Sequence, residues 1–335
     1  MQLISARFLH GIRGVLRTAC WAALAAGLGL ATAARAEFPD RPIKLIVGFG
    51  AGTGSDIQGR AFAEAMAREL KVPVVVENRA GAAGMLSASY VATAPADGYT
   101  ILFGTTTSMV TLPLLSRNVK YDTLKDFVPI GTMGKSPFVV MVQNKPGAPA
   151  TLNELIASTK AGPVSYGSIG VGSFGHLASV RLLQHANAQA THIPYKSSPQ
   201  ELQDLVAGNL QFATDSAVAG LPLIRNGLLK ALAVTSKTRI AALPNVPTVA
   251  EVLGNDFEHT VWTGLLAPAG TPAPVVQKLA AAMKASLETK EVQQRFSAME
   301  LQPFAIDSPA FAAYIRTELP AWKAFLQKAD IKLEE

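Results

Sequence analysis

The chain has 335 residues, 30 Lys and Arg against 24 Asp and Glu, a formal net charge of +6 and a single cysteine, Cys20. That length exceeds one ordinary core and suits two α/β lobes of roughly 100–200 residues each. Four of the basic residues and no acid fall in the first 36 positions, so the remainder carries 26 against 24 and lacks the basic stripe of a nucleic-acid binder.

The chain opens with Arg7, Arg13 and Arg17, then the apolar run "ACWAALAAGLGLATAA", then the small-x-small sequence Ala34-Arg35-Ala36. This is the pattern of a secretory signal peptide over residues 1–36, cleaved after Ala36. The run is rich in Ala and Gly and falls short of the ~20 residues a membrane span needs. Cleavage removes Cys20, which leaves no disulfide, thiol nucleophile or thiolate metal site.

Next comes the apolar run "IKLIV", the glycine-rich "GFGAGTGSD" at 48–56, and "DIQGRAFAEAMAREL" with helical spacing. A dinucleotide fingerprint fails here, because Thr53 and Ser55 stand where glycine is required, and no Gly-Lys-Ser/Thr follows to make a P-loop. Free N–H groups at a helix start favour a carboxylate or phosphate without any cationic side chain. The plainer alternative is a tight turn in which Ser55 or Asp56 caps the helix.

Further apolar runs, "VPVVVE", "YTILFG", "FVVMVQ", "PVSYG", "ATHIPY", "LQFAT", "LKALAVT" and "WTGLLAP", alternate with helical patterns. Runs that are continuous in apolar character suit strands covered on both faces, and the alternation predicts an α/β fold with largely parallel sheets. "IGTMGKSPFVVMVQNKPGAPATL" predicts two short strands separated by Gly, Ser and Pro, and "VLGNDFEHTVWTGLLAPAGTP" ends in a strand followed by Pro and Gly. A chain that crosses at these two places makes one lobe from 37–137 and 261–335 and another from 138–260, joined by a hinge with a cleft at the junction.

Helix punctuation agrees with this reading. Thr151 with Glu154 forms a capping box, Ser198-Pro199 opens a helix and Gly208 closes it. Pro320 is expected to kink or divide the amphipathic C-terminal helix. Trp262 and Trp322 are expected in core or hinge packing.

"SYGSIGVGSFGHLASVRLL", 165–183, repeats the strand, glycine-rich loop and helix, with Ser168, Gly170, Gly172 and Ser173 ahead of a helix beginning near Phe174. Two helix N-termini facing one cleft suit a ligand with two acidic ends. His176 either donates to such an anion or packs on the following strand. "VGSFG" is one glycine short of a nucleophile elbow, since Val171 takes the first position. A serine hydrolase would use Ser173, with His192 or His259 as base and Asp215 as orienter. His185, His192 and His259 have no metal-ligand spacing, so neither a metal nor another cofactor is expected.

Over nearly all of its length beyond the signal, the chain resembles the substrate-binding proteins of tripartite tricarboxylate transporters, the Bug proteins. The resemblance runs through "FPDRPIKLIVGF", "VVVENRAGAAG", "PADGYTILFGT", "YDTLKDFVPIG", "GVGSFGHLAS", "HIPYKSSPQELQDLVAG", "LKALAVTSKTRIAALPNVPTVAE" and "LLAPAGTP". It implies a non-enzymatic, two-lobed periplasmic binding protein of the Venus-flytrap type, monomeric, that clamps a small organic carboxylate and delivers it to membrane permease subunits. A periplasmic sensor that binds the same ligand is the alternative. Carried over by motif, the ligand-binding residues are Phe49, Gly52, Thr53, Ser55 and Asp56 in the first loop and Ser168, Gly172, Ser173 and His176 in the second. Thr105, Thr106 and Asp215 join them from the matching strand ends. Asp56 is expected to cap loop amides instead of meeting an anion. Gly48 and Thr53 replace the family's usual proline and second glycine, which places this chain's ligand choice near Thr53.

Overall fold

Strand β1 (Ile43–Val47) buries every residue but Lys44 and lies between β2 (Val74–Asn78) and β3 (Thr100–Thr105), parallel to both. Parallel neighbours need crossovers, which here contain helices α1 (Gly54–Leu70) and α2 (Met85–Ala92). The computed structural model describes residues 37–254 and 256–329, so the expected signal peptide and its cleavage point lie outside the described residues.

After the single-turn α3 (Leu112–Leu115), the chain enters β4 (Phe127–Gln143), a strand of 17 residues. Its first part pairs antiparallel with β9 (Thr260–Pro268), and β9 pairs in turn with β3. Its second part pairs antiparallel with β7 (Phe212–Ser216) and β8 (Leu229–Val234). β5 (Ser165–Ser168) lies parallel to β7 and to β6 (Thr191–Pro194). The strand order is therefore β2-β1-β3-β9-β4-β7-β5-β6.

Two expectations change. The sheet is mixed: parallel pairing holds toward its two ends, while the long strands between them are antiparallel. The two short strands expected around residue 135 are one strand, because the register shifts at Gly131 and Gly134 absorb the irregularity as bulges. These glycines serve close packing. A Cβ on Gly134 would lie 2.6 Å from Leu301, and one on Gly131 would lie 3.2 Å from Met283.

The second half of the chain supplies α4 (Leu152–Ala161), α5 (Phe174–His185), α6 (Ser198–Ala207), α7 (Ala217–Arg225) and α8 (Val249–Leu253). α9 (Ala273–Glu288), α10 (Lys290–Ala298), the short β10 (Gln302–Pro303) and α11 (Ser308–Ala329) return to the first half of the sheet. One apolar cluster joins Ile46, Leu102, Trp262, Leu266, Phe311 and Ile315. Two others cover opposite faces of the other half, around Phe212 and Val142 and around Met141 and Leu205. α11 runs through Pro320 undivided. Proline removes one helical hydrogen bond, and the packing of Ile315, Leu319 and Trp322 on the first cluster opposes a break there.

Candidate functional site

Four helices begin at one cleft. Thr53, Gly54 and Ser55 at the start of α1, Phe174 and Gly175 of α5, Ser198 of α6 and Ser216 ahead of α7 all line it. The first N–H groups of a helix have no intrahelical partner and carry the positive end of its dipole, so these starts make the cleft attractive to anions. The space between its walls is about 510 Å³, open solvent included. Hydroxyls of Thr105, Thr107, Ser136 and Thr263 add to those at the helix starts, with Phe49, Phe138 and Val261 as apolar wall. No Lys, Arg or His lies among the lining residues, and Asp215 is the one acid.

The first loop is braced from beneath. Asp56 accepts from the Gly52 N–H at 3.0 Å, from Asn78 Nδ2 at 2.8 Å and from Arg60 Nε at 3.1 Å, and Asn78 also donates to the Phe49 carbonyl. Burial would raise the Asp56 pKa, but Arg60, Asn78 and the Gly52 amide outweigh it and hold the carboxyl below its ordinary value. Thr53, neither Ser55 nor Asp56, is the N-cap: its Oγ1 accepts from the Asp56 N–H and donates to the Gly50 carbonyl at 2.8 Å. Gly52 is exposed, with φ +80, facing Pro199 of α6. Gly54 approaches so closely that a Cβ there would lie 2.9 Å from Ser216 Oγ.

The second loop closes on itself through side chains. Ser173 caps α5 by accepting from the His176 N–H and donates to Ser168 Oγ at 3.2 Å. Ser168 also contacts His192 Nε2 at 2.7 Å and donates to the Gly170 carbonyl. His176 Nδ1 accepts from the Gly172 N–H at 3.2 Å, with its ring stacked on Tyr166. That acceptor role requires a neutral ring nitrogen. Burial, with the neighbouring His192, pushes the His176 pKa down to about 3, and burial brings His192 to about 4.

The strand ends complete the wall. Thr105 Oγ1 caps the Ser108 N–H, and Thr106 Oγ1 accepts from the Trp262 N–H at 3.0 Å, fastening β3 to β9. Gln58, one turn into α1, donates to Ser136 Oγ on β4 at 2.8 Å and accepts from Thr263 Oγ1 on β9 at 3.3 Å. Asp215 Oδ1 accepts from the Ser216 N–H at 2.6 Å, while Oδ2 is buried without a hydrogen bond. Beside it Glu201 is fully buried, with neither carboxyl oxygen partnered. Burial raises both acids above their ordinary values, Glu201 strongly and with the Asp215 charge adding to it. The nearby hydroxyls and amide of Ser198 and Ser216 restrain the rise of Asp215.

The family description "Tripartite tricarboxylate transporter family receptor" matches residues 59–331. The chain belongs to the tripartite tricarboxylate transporter receptor family. Its fold is that of the periplasmic binding protein BugD, with a TM-score of 0.83 and 31% identity over 89% of this chain and 100% of that one. A Rhodopseudomonas palustris protein solved with adipate has a TM-score of 0.84 at 30% identity, covering 88% of this chain and 99% of that one. MatC from the same organism, solved with bound malate, has a TM-score of 0.78 at 28% identity, covering 86% and 100%. The architecture is the two-lobed α/β binding-protein fold.

Of the positions expected to form this receptor's site, Phe49, Thr53, Ser55, Thr105 and Asp215 stand on the cleft wall. Gly52, Asp56, Thr106, Ser168, Gly172, Ser173 and His176 do not line that cavity, and the contacts above tie most of them into the loops around it. The hydrolase triad is not assembled. His192 meets Ser168, and His259 Nε2 meets the Phe174 carbonyl at 3.1 Å, so neither reaches Ser173. Sequence reasoning missed Gln58, Ser136, Ser216, Thr263 and Glu201. Gln58 had a readable signal, as a polar residue on the helical stripe shared with Gly54, Ala61 and Phe62.

Proposed function

We propose that this receptor captures a small organic carboxylate between its lobes in the periplasm, as a monomer, and delivers it to the permease subunits of a tripartite tricarboxylate-type transporter. Residues 1–36 are its export signal, cleaved after Ala36. Residues 37–137 with 261–335 form one lobe and 138–260 the other, hinged where β4 and β9 cross. The observation that carries this reading is a hydroxyl-lined cleft at which four helices begin and which has no cationic side chain. The two R. palustris neighbours, solved with adipate and with malate, support the choice of carboxylate.

Thr53, Ser55, Thr105 and Asp215 meet the ligand, and Phe49 packs against its carbon chain. Gly52, Asp56, Ser168, Gly172, Ser173 and His176 keep the two loops in shape, and Thr106 holds the strand pair beneath. A micromolar site needs about 8 kcal/mol. Hydrogen bonds to a charged group contribute roughly 1.5–3 kcal/mol each and a helix end up to ~2, so three or four such donors suffice without an arginine. A ligand that touches both lobes binds the closed form better, and that difference drives closure.

The test is titration calorimetry of the mature protein with adipate, malate and a set of aromatic carboxylates. One-to-one, micromolar binding with the ligand recovered unchanged is the expected result. Failure of every carboxylate to bind sinks the reading.

A further inference from the structure

The cleft holds an element that an anion site should avoid. Asp215 presents a buried carboxyl oxygen, Oδ2, with no hydrogen bond, on a wall without any cation. Near enough to feel its charge, Glu201 is fully buried with both oxygens unpartnered. Among the described residues no base forms an ion pair with either acid, and a dicarboxylate entering the cleft brings two further negative charges close to them. Charges so placed repel strongly, and the usual response of a buried acid is to keep its proton.

We propose that Asp215 meets the bound carboxylate as a protonated acid, with Oδ2–H donating to the ligand, so that capture of the anion is coupled to uptake of a proton. This inference rests on the carboxylate reading of the cleft.

The geometry around Asp215 supports that role. Its Oδ1 accepts from the Ser216 N–H and the Ser198 and Ser216 hydroxyls lie close to the carboxyl, while Oδ2, buried without a hydrogen-bond partner, is the atom that can carry the proton. Of the titratable groups near it, Glu201 on α6 is the one coupled to it, and there the Asp215 charge raises Glu201 further. On α1, Asp56 and Arg60 are paired with each other. On α5, His176 is buried and neutral, its Nδ1 taken by Gly172. The portions of β4 and α7 that face the cleft offer Ser136, Phe138 and Ser216, none of which titrates. Burial already lifts Asp215 above the ordinary carboxyl value, and an anion against Oδ2 lifts it further. By linkage, a ligand that raises the acid's proton affinity binds more weakly as the proton is lost, by up to tenfold per pH unit.

The experiment is calorimetry of the mature protein with adipate and with malate from pH 6.5 to 8.5, each pH in two buffers of different ionisation enthalpy. The wild type is expected to take up close to one proton per ligand and to lose affinity as pH rises. Asp215→Asn keeps the shape and places a permanent N–H donor at Oδ2, so its binding should be flat with pH, free of proton uptake, and tighter than wild type at pH 8.5. Wild-type binding without proton uptake overturns the inference, and that measurement does not depend on the variant folding. Loss of binding by a folded Asp215→Asn at every pH also overturns it, since it would show that an ionised acceptor is needed. If neither protein binds any carboxylate at any pH, the carboxylate reading itself has failed and this inference with it.

Discussion

Gly54 shows how much of the site depends on the absence of a side chain. An added Cβ would sit 2.9 Å from Ser216 Oγ and 3.4 Å from its Cβ, across the cleft. Ser216 cannot turn away freely, because its Oγ accepts from the Ala219 N–H and caps α7. Displacing such a cap costs about 0.5–2 kcal/mol, whereas alanine favours a helix over glycine by about 1 kcal/mol at most. Gly54→Ala is therefore expected to leave the thermal midpoint of the free protein nearly unchanged and to weaken carboxylate binding several-fold, with Ser216→Gly restoring it in the double variant. Unchanged affinity in calorimetry would remove the Gly54–Ser216 approach from the binding cycle. At this scale the sequence was partly legible. The glycines announced a backbone approach and Asp56 announced a loop cap. The cap contributed by Thr53 was hidden because Thr, Ser and Asp all suit that position and only the extended ψ of residue 53 decides among them.

The elements were read more surely than their pairing. Runs such as "IKLIV" and "LKALAVT" became β1 and β8 nearly residue for residue, because continuous apolar character allows little else at that length. From sequence β4 reads as two pieces, since Gly131 and Gly134 look like breakers locally and become bulges only against β9 and Leu301. Strand direction was likewise invisible, because it depends on partners far away in the chain. The start of α5 gives a prediction at this level. Ser173 is fully buried, and its hydroxyl is shared between the His176 N–H and Ser168. Ser173→Ala should lower stability by about 1–2 kcal/mol in urea unfolding, the cost of a lost cap and an orphaned partner, while ligand affinity changes less than threefold. A large affinity loss at unchanged stability would instead place this hydroxyl in direct contact with the ligand.

Across the whole molecule, buried ionisable groups without counter-charges set the pH range of stability. His176, His192 and His259 are all pushed down by burial, to about 3, 4 and 3. Repulsion from His192 adds to the shift at His176, and the Arg181 charge adds to it at His259, opposed there by the Phe174 carbonyl. The two-lobed plan was legible from strand and helix alternation, but these neutral histidines were not, since burial is a tertiary property. Their sign is definite. Below the ordinary histidine value of about 6.5 the unfolded chain binds protons that the folded chain refuses, so stability must fall as pH drops from 6.5 toward 4. Glu201, raised instead of lowered, acts in the opposite sense: its penalty grows as pH rises above the ordinary glutamate value of 4.5. The three histidines contribute up to three protons to the acid-side slope and Glu201 takes back about one across the same range, which leaves about two, or about 3 kcal/mol per pH unit at its steepest. Urea unfolding between pH 4.5 and 7.5 should show that slope, and His192→Gln, which can still reach Ser168, should reduce it by about one proton. A wild-type stability that stayed level from pH 6.5 to 4.5 would mean that these rings are protonated in the folded protein. The Gly172 N–H would then face a charged donor where His176 Nδ1 now accepts it, and the second loop could not keep its present shape.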